Sequence, residues 1–351
     1  MNLGRLIIDI DGLELSAEDE DILKHPSVGG VILFTRNFDN INQVYNLINR
    51  IKSLRSPSLI IYIDQEGGRV QRFKKELSLL PSVDLLGKKF SFDNHDACEL
   101  SEKLGWLVGF ELKCLGIDVN TSPVLDIDYG NSEIMKRRCY SSNPKIVSKL
   151  ASAFLKGSRQ VELASICKHY PGHGYAKTDS HKELPVDNRN YQTIFNNDIF
   201  PYKMAIDYGI EGIMTSHVLY KNFDIYPPTL SQKWLHILKN ELRYKGLIYS
   251  DDLSMNALNE FGNMQQNVQN SIKAGCDCIF MCNNREQVIK TIDEVIINQT
   301  AIINNKLINL SSKKNNFNIK DISTNKKRRS ILKEINRIEE KKQIEINLGI
   351  P

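Results

Sequence analysis

The chain has 351 residues and a formal net charge of +4, with 41% hydrophobic and 25% charged residues. Those proportions exclude a disordered polymer, and no run of about 18 apolar residues offers a membrane-spanning helix. From Ser311 onward there are 11 Lys+Arg against 5 Asp+Glu, so the remainder is slightly acidic and the body is not a polyanion binder.

The opening Met1-Asn2-Leu3-Gly4-Arg5-Leu6-Ile7-Ile8-Asp9 lacks the basic region, long apolar core and cleavage site of a signal peptide, so a cytoplasmic setting is expected. Seven cysteines, an odd number, then argue for thiols rather than a disulfide framework. In chain order, apolar β-rich runs fall at 6–10, 28–34, 59–63, 117–125, 164–167, 212–215, 247–249 and 278–281. Helical spacing covers 40–54, 96–114, 144–158, 191–208, 231–242 and 264–274. Strands buried on both faces and separated by helices imply a parallel sheet, and eight such units imply an α/β fold closed as a single-domain (β/α)8 TIM-type barrel. A doubly wound open sheet would instead gather its ligand groups at one switch point.

The barrel is expected to span 1–310, with its first two units departing from a regular pattern. A basic C-terminal extension, 311–351, follows and is expected to be helical or partly disordered, because its composition turns Asn/Lys-rich. Its Lys326-Lys327-Arg328-Arg329 has no aromatic interleaving and no DNA-binding motif, so a solvated helix with frayed ends is expected. Cys276-Asp277-Cys278-Ile279-Phe280-Met281-Cys282 lacks a second Cys/His pair to close a zinc site and reads as a buried strand.

In a barrel the chemistry sits at the carboxyl ends of the strands, and several runs here end in ionisable residues. The third is followed by Asp64-Gln65-Glu66-Gly67-Gly68-Arg69-Val70-Gln71-Arg72, with acceptors, forked donors and a glycine pair that suit a hydroxyl-rich ligand, or a salt-bridged turn. Lys136-Arg137-Arg138-Cys139-Tyr140-Ser141 can send Arg138 into a site or remain a solvated basic turn. The densest stretch is Lys168-His169-Tyr170-Pro171-Gly172-His173-Gly174-Tyr175-Ala176-Lys177-Thr178-Asp179-Ser180-His181, an expected active-site loop. Within it, Asp179 can hold the His181 imidazole in one tautomer and raise its basicity. After the seventh run, Ser250-Asp251-Asp252-Leu253-Ser254-Met255 offers a rigid carboxylate nucleophile, although either acid can instead cap the following helix. His169, His173, His181 and His217 with Asp179 and Asp251 raise a zinc reading, which the absence of a His-x-His pair at a strand end weighs against.

Taken in order, the third-strand, His-rich and seventh-strand motifs resemble the bacterial β-N-acetylhexosaminidases of glycoside hydrolase family 3, over roughly Gly4 to Asn284. The resemblance implies removal of terminal N-acetylglucosamine from peptidoglycan fragments carrying 1,6-anhydro-N-acetylmuramic acid, in cell-wall recycling, by a retaining mechanism. It also implies Asp251 as nucleophile, His181 as acid/base and Asp179 as its orienting acid, with Asp64, Arg72, Arg138, Lys168 and His169 holding the sugar. No metal or organic cofactor is implied, and the expected partner is a small soluble glycoside bound by a monomer, with neither nucleic acid nor membrane. Tyr170 stands where the family has Phe, Cys139-Tyr140 replaces Ser-Phe, and Tyr175-Ala176-Lys177 varies the stretch before Asp179. Transfer to phosphate instead of water, and a non-catalytic amino-sugar-binding role, stay open at this level.

Overall fold

A computed structural model describes residues 2–180, 182–295, 297–311 and 316–347, with side chains described as far as residue 337. Eight parallel strands form the centre: Leu6–Ile8, Val28–Leu33, Ile60–Ile63, Val119–Asn120, Ala164–Tyr170, Gly212–Thr215, Leu247–Tyr249 and Ile279–Met281. Sequence neighbours pair with one another, the first strand pairs with the last, and a parallel bridge from Tyr249 to Cys278 completes the ring. The result is a TIM-type (β/α)8 barrel. Every residue of the eight strands is buried, which is why they read as continuous apolar runs rather than alternating ones.

The departures lie elsewhere than expected. The first two units are ordinary strand-helix units, with helices Ala17–Lys24 and Ile41–Ser53, and their irregularity is confined to a register shift between Leu6 and Ile7. The fourth run shrinks to two residues because Pro123 has no N–H for the ladder, and Val124 rejoins it only as an isolated bridge to Lys168. The helical stretch 191–208 divides into Tyr191–Asn197 and Phe200–Tyr208, with Pro201 in the first turn of the second helix, where its missing donor costs nothing. Helix Gln232–His236 runs into a π-helical turn, Ile237–Glu241.

The longest of the barrel's helices, Asn94–Leu115, crosses Pro144–Arg159 at close range. Gly105 and Gly157 make this possible: a Cβ on either would lie 2.0 Å from the Phe154 carbonyl oxygen or 1.9 Å from that of Glu102. Beyond Ser311, helices Ile319–Thr324 and Lys326–Asn347 bury Ile322, Ile331 and Ile335, so this part of the extension is packed rather than solvated. All seven cysteines are free thiols, and Cys276, Cys278 and Cys282 are buried as a strand reading requires. Among the described residues no helix is long and apolar enough to cross a membrane.

Candidate active site

The carboxyl ends of the strands surround a cavity of about 330 Å³. Asp64, Arg72, Arg138, Lys168, His169, Asp179 and Asp251 all line it, while His181 lies outside the described residues. Positions far apart in the chain are thus brought together by barrel closure.

The third strand delivers Asp64, after which the chain doubles back as an antiparallel hairpin of Gln65–Gly67 with Val70–Gln71. Gly67 and Gly68 adopt φ of 104° and 55° at its turn, values that favour glycine. The return leg brings Arg72 Nη2 to 2.7 Å from Asp64 Oδ2. Lys168 Nζ, from the fifth strand, lies 2.8 Å from Asp64 Oδ1 and 2.7 Å from Glu66 Oε1. Arg138 grips both Glu66 oxygens at 2.8 Å. Burial alone would raise both carboxyls, but these cations outweigh it, holding Asp64 far below the usual aspartate range and Glu66 at about 2. The ambiguity of the basic turn is resolved here: the Arg138 side chain is 12% exposed, against 65% for Lys136 and 60% for Arg137. The outcome is a rigid polar wall of fixed charges suited to vicinal hydroxyls.

The fifth strand continues to Tyr170, so Lys168 and His169 belong to the strand and not to the loop after it. His169 Nδ1 lies 2.7 Å from Asp126 Oδ2, which leaves Nε2 as the ring atom available to a ligand. Asp126 is fully buried, and its other oxygen accepts the His173 N–H at 2.6 Å and the His169 N–H at 3.4 Å. Burial opposes its ionisation, yet the histidines and amides keep its pKa below the usual value. His173 is itself buried, its Nδ1 unpartnered among the described residues, and burial together with the His169 charge lowers it to about 4.

The seventh strand ends just before Asp251. Its Oδ1 accepts the Asp252 N–H at 2.9 Å. Burial raises the Asp251 carboxyl, but His169, His217, that amide and Lys168 reverse the balance and hold it below the usual aspartate value. It therefore faces the cavity as a carboxylate. Asp252 is occupied differently, since its oxygens accept from Ser254 N, Ser254 Oγ and Cys282 N at 3.0, 2.7 and 3.0 Å, and burial pushes it up to about 7. It organises the turn after the strand, and neither acid is the N-cap of the helix that follows.

The loop carrying Asp179 is seated before it reaches the cavity. Gly174 lies so close to the chain at Ile127 that a Cβ would sit 1.8 Å from the carbonyl oxygen, and Ala176 is buried. Tyr175 and Tyr129 cover the Arg189 guanidinium at 4.3 and 4.5 Å, and Arg189 is held in turn by Asp187 and Asp198 at 2.7 and 2.9 Å.

Glu66 and Asp126 are site residues that sequence reasoning did not single out as such, and His217 was weighed there only as a zinc ligand. Glu66 sat in plain view beside Asp64. Asp126 followed the fourth run at the position where barrel chemistry is expected, but its pairing with His169 is tertiary. His217 Nε2 lies 3.0 Å from the Asp252 carbonyl oxygen, and its Nδ1 2.9 Å from Thr229 Oγ1. Among the described residues, the group with ligand atoms close enough for a metal is His95, Asp96 and Glu99, which is exposed and lies away from the cavity histidines. There Lys89 and Lys103 already pair with Asp96 and Glu99, at 3.3 and 2.8 Å.

Comparison with known proteins gives a consistent result. The family model described as Glycosyl hydrolase family 3 N terminal domain matches residues 3–314. A beta-hexosaminidase of Hydrogenovibrio crunogenus is 39% identical over 314 residues, 89% of this chain and 88% of the relative. One of Nitrosospira multiformis is 40% identical over 287 residues, 82% of each chain. The crystal structure of NagZ from Neisseria gonorrhoeae in complex with N-trifluoroacetyl-D-glucosamine superposes with a TM-score of 0.88 at 33% identity, covering 95% of this chain and 97% of that one.

Proposed function

The chain belongs to glycoside hydrolase family 3 and is an enzyme of the beta-hexosaminidase kind, and from that premise we propose that it is a retaining β-N-acetylglucosaminidase acting through Asp251 and His181. The observation that carries the reading is the Asp251 carboxylate, kept ionised within the cavity while Asp64 and Glu66 are paired with Arg72, Arg138 and Lys168. In this scheme Asp64, Arg72, Arg138, Lys168 and His169 hold the hydroxyls of a terminal N-acetylglucosamine. Protonated His181 donates to the departing glycosidic oxygen while Asp251 attacks the anomeric carbon, and neutral His181 then deprotonates the water that hydrolyses the glycosyl-enzyme. Asp179 stabilises the imidazolium. A neutral base lets water approach a site already rich in carboxylates, so one carboxylate and one imidazole replace the usual carboxylate pair. The substrates proposed are N-acetylglucosaminyl-1,6-anhydro-N-acetylmuramic acid fragments, with or without peptide, processed by a cytoplasmic monomer during cell-wall recycling.

The test is release of 4-nitrophenol from its N-acetyl-β-D-glucosaminide by the wild type, Asp251→Ala and His181→Ala. Turnover is expected to fall roughly 10³-fold or more in the Asp251 variant, because the two-step route needs the nucleophile. An Asp251→Ala protein that keeps wild-type turnover would exclude the scheme, and sugar 1-phosphate as the dominant product in phosphate buffer would replace hydrolysis by phosphorolysis.

A further inference from the structure

The basic tetrad of the extension lies outside residues 3–314, which the family model matches, yet one of its residues reaches the support of the sugar-binding wall. Arg328 Nε lies 2.6 Å from Glu111 Oε1, and its Nη1 donates to the Ile322 carbonyl at 3.0 Å. Glu111 is buried in helix Asn94–Leu115. The same carboxylate accepts the Ser78 N–H at 3.1 Å and the Ser78 hydroxyl at 2.5 Å, and Arg328 Nη2 adds a longer contact to that hydroxyl at 3.4 Å.

Ser78 belongs to the segment that wraps under the cavity hairpin. Its carbonyl accepts Gln71 Nε2 at 2.8 Å, and Gln71 Oε1 accepts the Leu80 N–H at 3.0 Å. Gln71 pairs in register with Gln65, whose side-chain oxygen accepts the Arg72 N–H at 2.9 Å. Arg72 in turn holds Asp64. An unbroken line of short polar contacts therefore joins the extension to the wall of the cavity, and every carboxylate, amide or hydroxyl in it is buried or half-buried.

We propose that Arg328 is a positioning residue for the active site: by neutralising Glu111 it fixes Ser78, and through Ser78 the hairpin that presents Asp64 and Arg72 to the sugar. The neighbouring tetrad residue Lys327 adds an anchor, its Nζ lying 4.3 Å from the Trp106 ring and 3.1 Å from Gln160 Oε1, and Lys103 pairs with Glu334 at 2.7 Å. Without Arg328 a buried carboxylate loses its cation and leans on Ser78, so the segment that Glu111 organises must shift to find water or another donor. One charge of the tetrad, that of Arg328, is thus spent on the protein's own carboxylate.

The inference rests on the proposed sugar-binding role of Asp64 and Arg72, and two measurements separate its failure from a failure of that role. Steady-state kinetics with 4-nitrophenyl N-acetyl-β-D-glucosaminide on Arg328→Gln and Arg328→Lys reports on the site. KM is expected to rise about tenfold in Arg328→Gln with kcat within about twofold, as a misplaced binding group gives. A smaller rise is expected in Arg328→Lys, which keeps the charge but loses the fork, and added guanidinium at low millimolar concentration should lower the KM of Arg328→Gln. Amide hydrogen exchange over residues 64–80, measured on the full-length chain, needs no turnover and is expected to accelerate in both variants. Unchanged KM in a folded Arg328→Gln protein, or unchanged exchange over 64–80, overturns the proposal. An inactive wild type would fall on the functional reading alone, since the exchange experiment still decides the link. If Arg328→Gln does not fold, Arg328→Lys carries the same two readouts.

Discussion

Among single residues, Asp126 shows how much of the site depends on a group that never meets the sugar. Its carboxylate takes three N–H donors, one from the His169 ring and two from the backbone at His169 and His173. The backbone amides could still bond an Asn carbonyl, but the second Asn atom is a donor where the His169 ring presents its own N–H. Asp126→Asn is therefore expected to release the ring, raise KM for the chromogenic glycoside about tenfold, and destabilise the fold by about 3 kcal/mol, as the loss of one partner from a buried charged pair does. Urea titration and steady-state kinetics measure the two effects, and a variant with wild-type values in both would show that the His169 orientation is set elsewhere. Asp251 sets the pH rule at this scale. In the proposed mechanism the carboxylate acts ionised, and because the surrounding charges hold its pKa below the usual aspartate value, its protonation is not expected to lower kcat/KM at mildly acidic pH. Asp64, Lys168 and Asp251 were legible in the sequence because each lies within two residues of the end of an apolar run and within a cluster of ionisable residues. Asp126 also follows an apolar run, but its role was not legible, since it and His169, 43 residues apart, meet only when the fourth and fifth strands pair.

At the level of elements, the strands announced themselves through unbroken burial, and the structure moves their ends only where a special residue intervenes. Pro123 cut the fourth strand short and Pro201 marked a break between two helices, both from local chemistry that a periodicity count averages away. The fifth strand runs three residues past its apolar stretch because Lys168 and His169 find partners in Asp64, Glu66 and Asp126, and such burial of charge is invisible to hydropathy. The loop after it is another case. Its glycines marked a turn, but the close contact of Gly174 with Ile127 and the clasp of Tyr175 on Arg189 are tertiary. A methyl at position 174 would meet backbone, which cannot rotate away, so Gly174→Ala must displace the segment leading to Asp179. The expected result is a fall in kcat of roughly 10²-fold, the scale of a 1 Å misplacement, with a change in KM of less than about threefold because Asp64, Arg72 and Arg138 are on other segments and Lys168 and His169 are held within the fifth strand, ahead of the loop. Equal kcat values for a folded Gly174→Ala and the wild type would mean that the loop reaches its working position without this contact.

For the whole molecule, the basic extension that the sequence marked as a solvated helix turns one of its charges inward, at Arg328. Arg328 is paired with Glu111, and in the cavity Arg72, Arg138 and Lys168 are paired with Asp64 and Glu66. Folding stability should therefore carry two opposed pH dependences. Glu66 falls from 4.5 to about 2 on folding, so its contribution is fully present above about pH 4.5 and is lost as the pH drops toward 2. Asp252 goes the other way, from 3.8 to about 7, because it is buried beside ionised Asp251 and its three donors do not offset the burial. Between those two values the folded protein keeps a proton that the unfolded chain has released, so this residue makes stability decline as the pH rises from about 4 to about 7. Asn at that position has no proton to exchange; its carbonyl can accept the Ser254 and Cys282 amides and its amide can donate to Ser254 Oγ. The Tm of Asp252→Asn should thus change less between pH 4.5 and 7.5 than that of the wild type, by a few degrees for a domain of this size. Calorimetric scans at the two pH values decide it: parallel Tm shifts in both proteins would place the Asp252 proton in solvent at neutral pH.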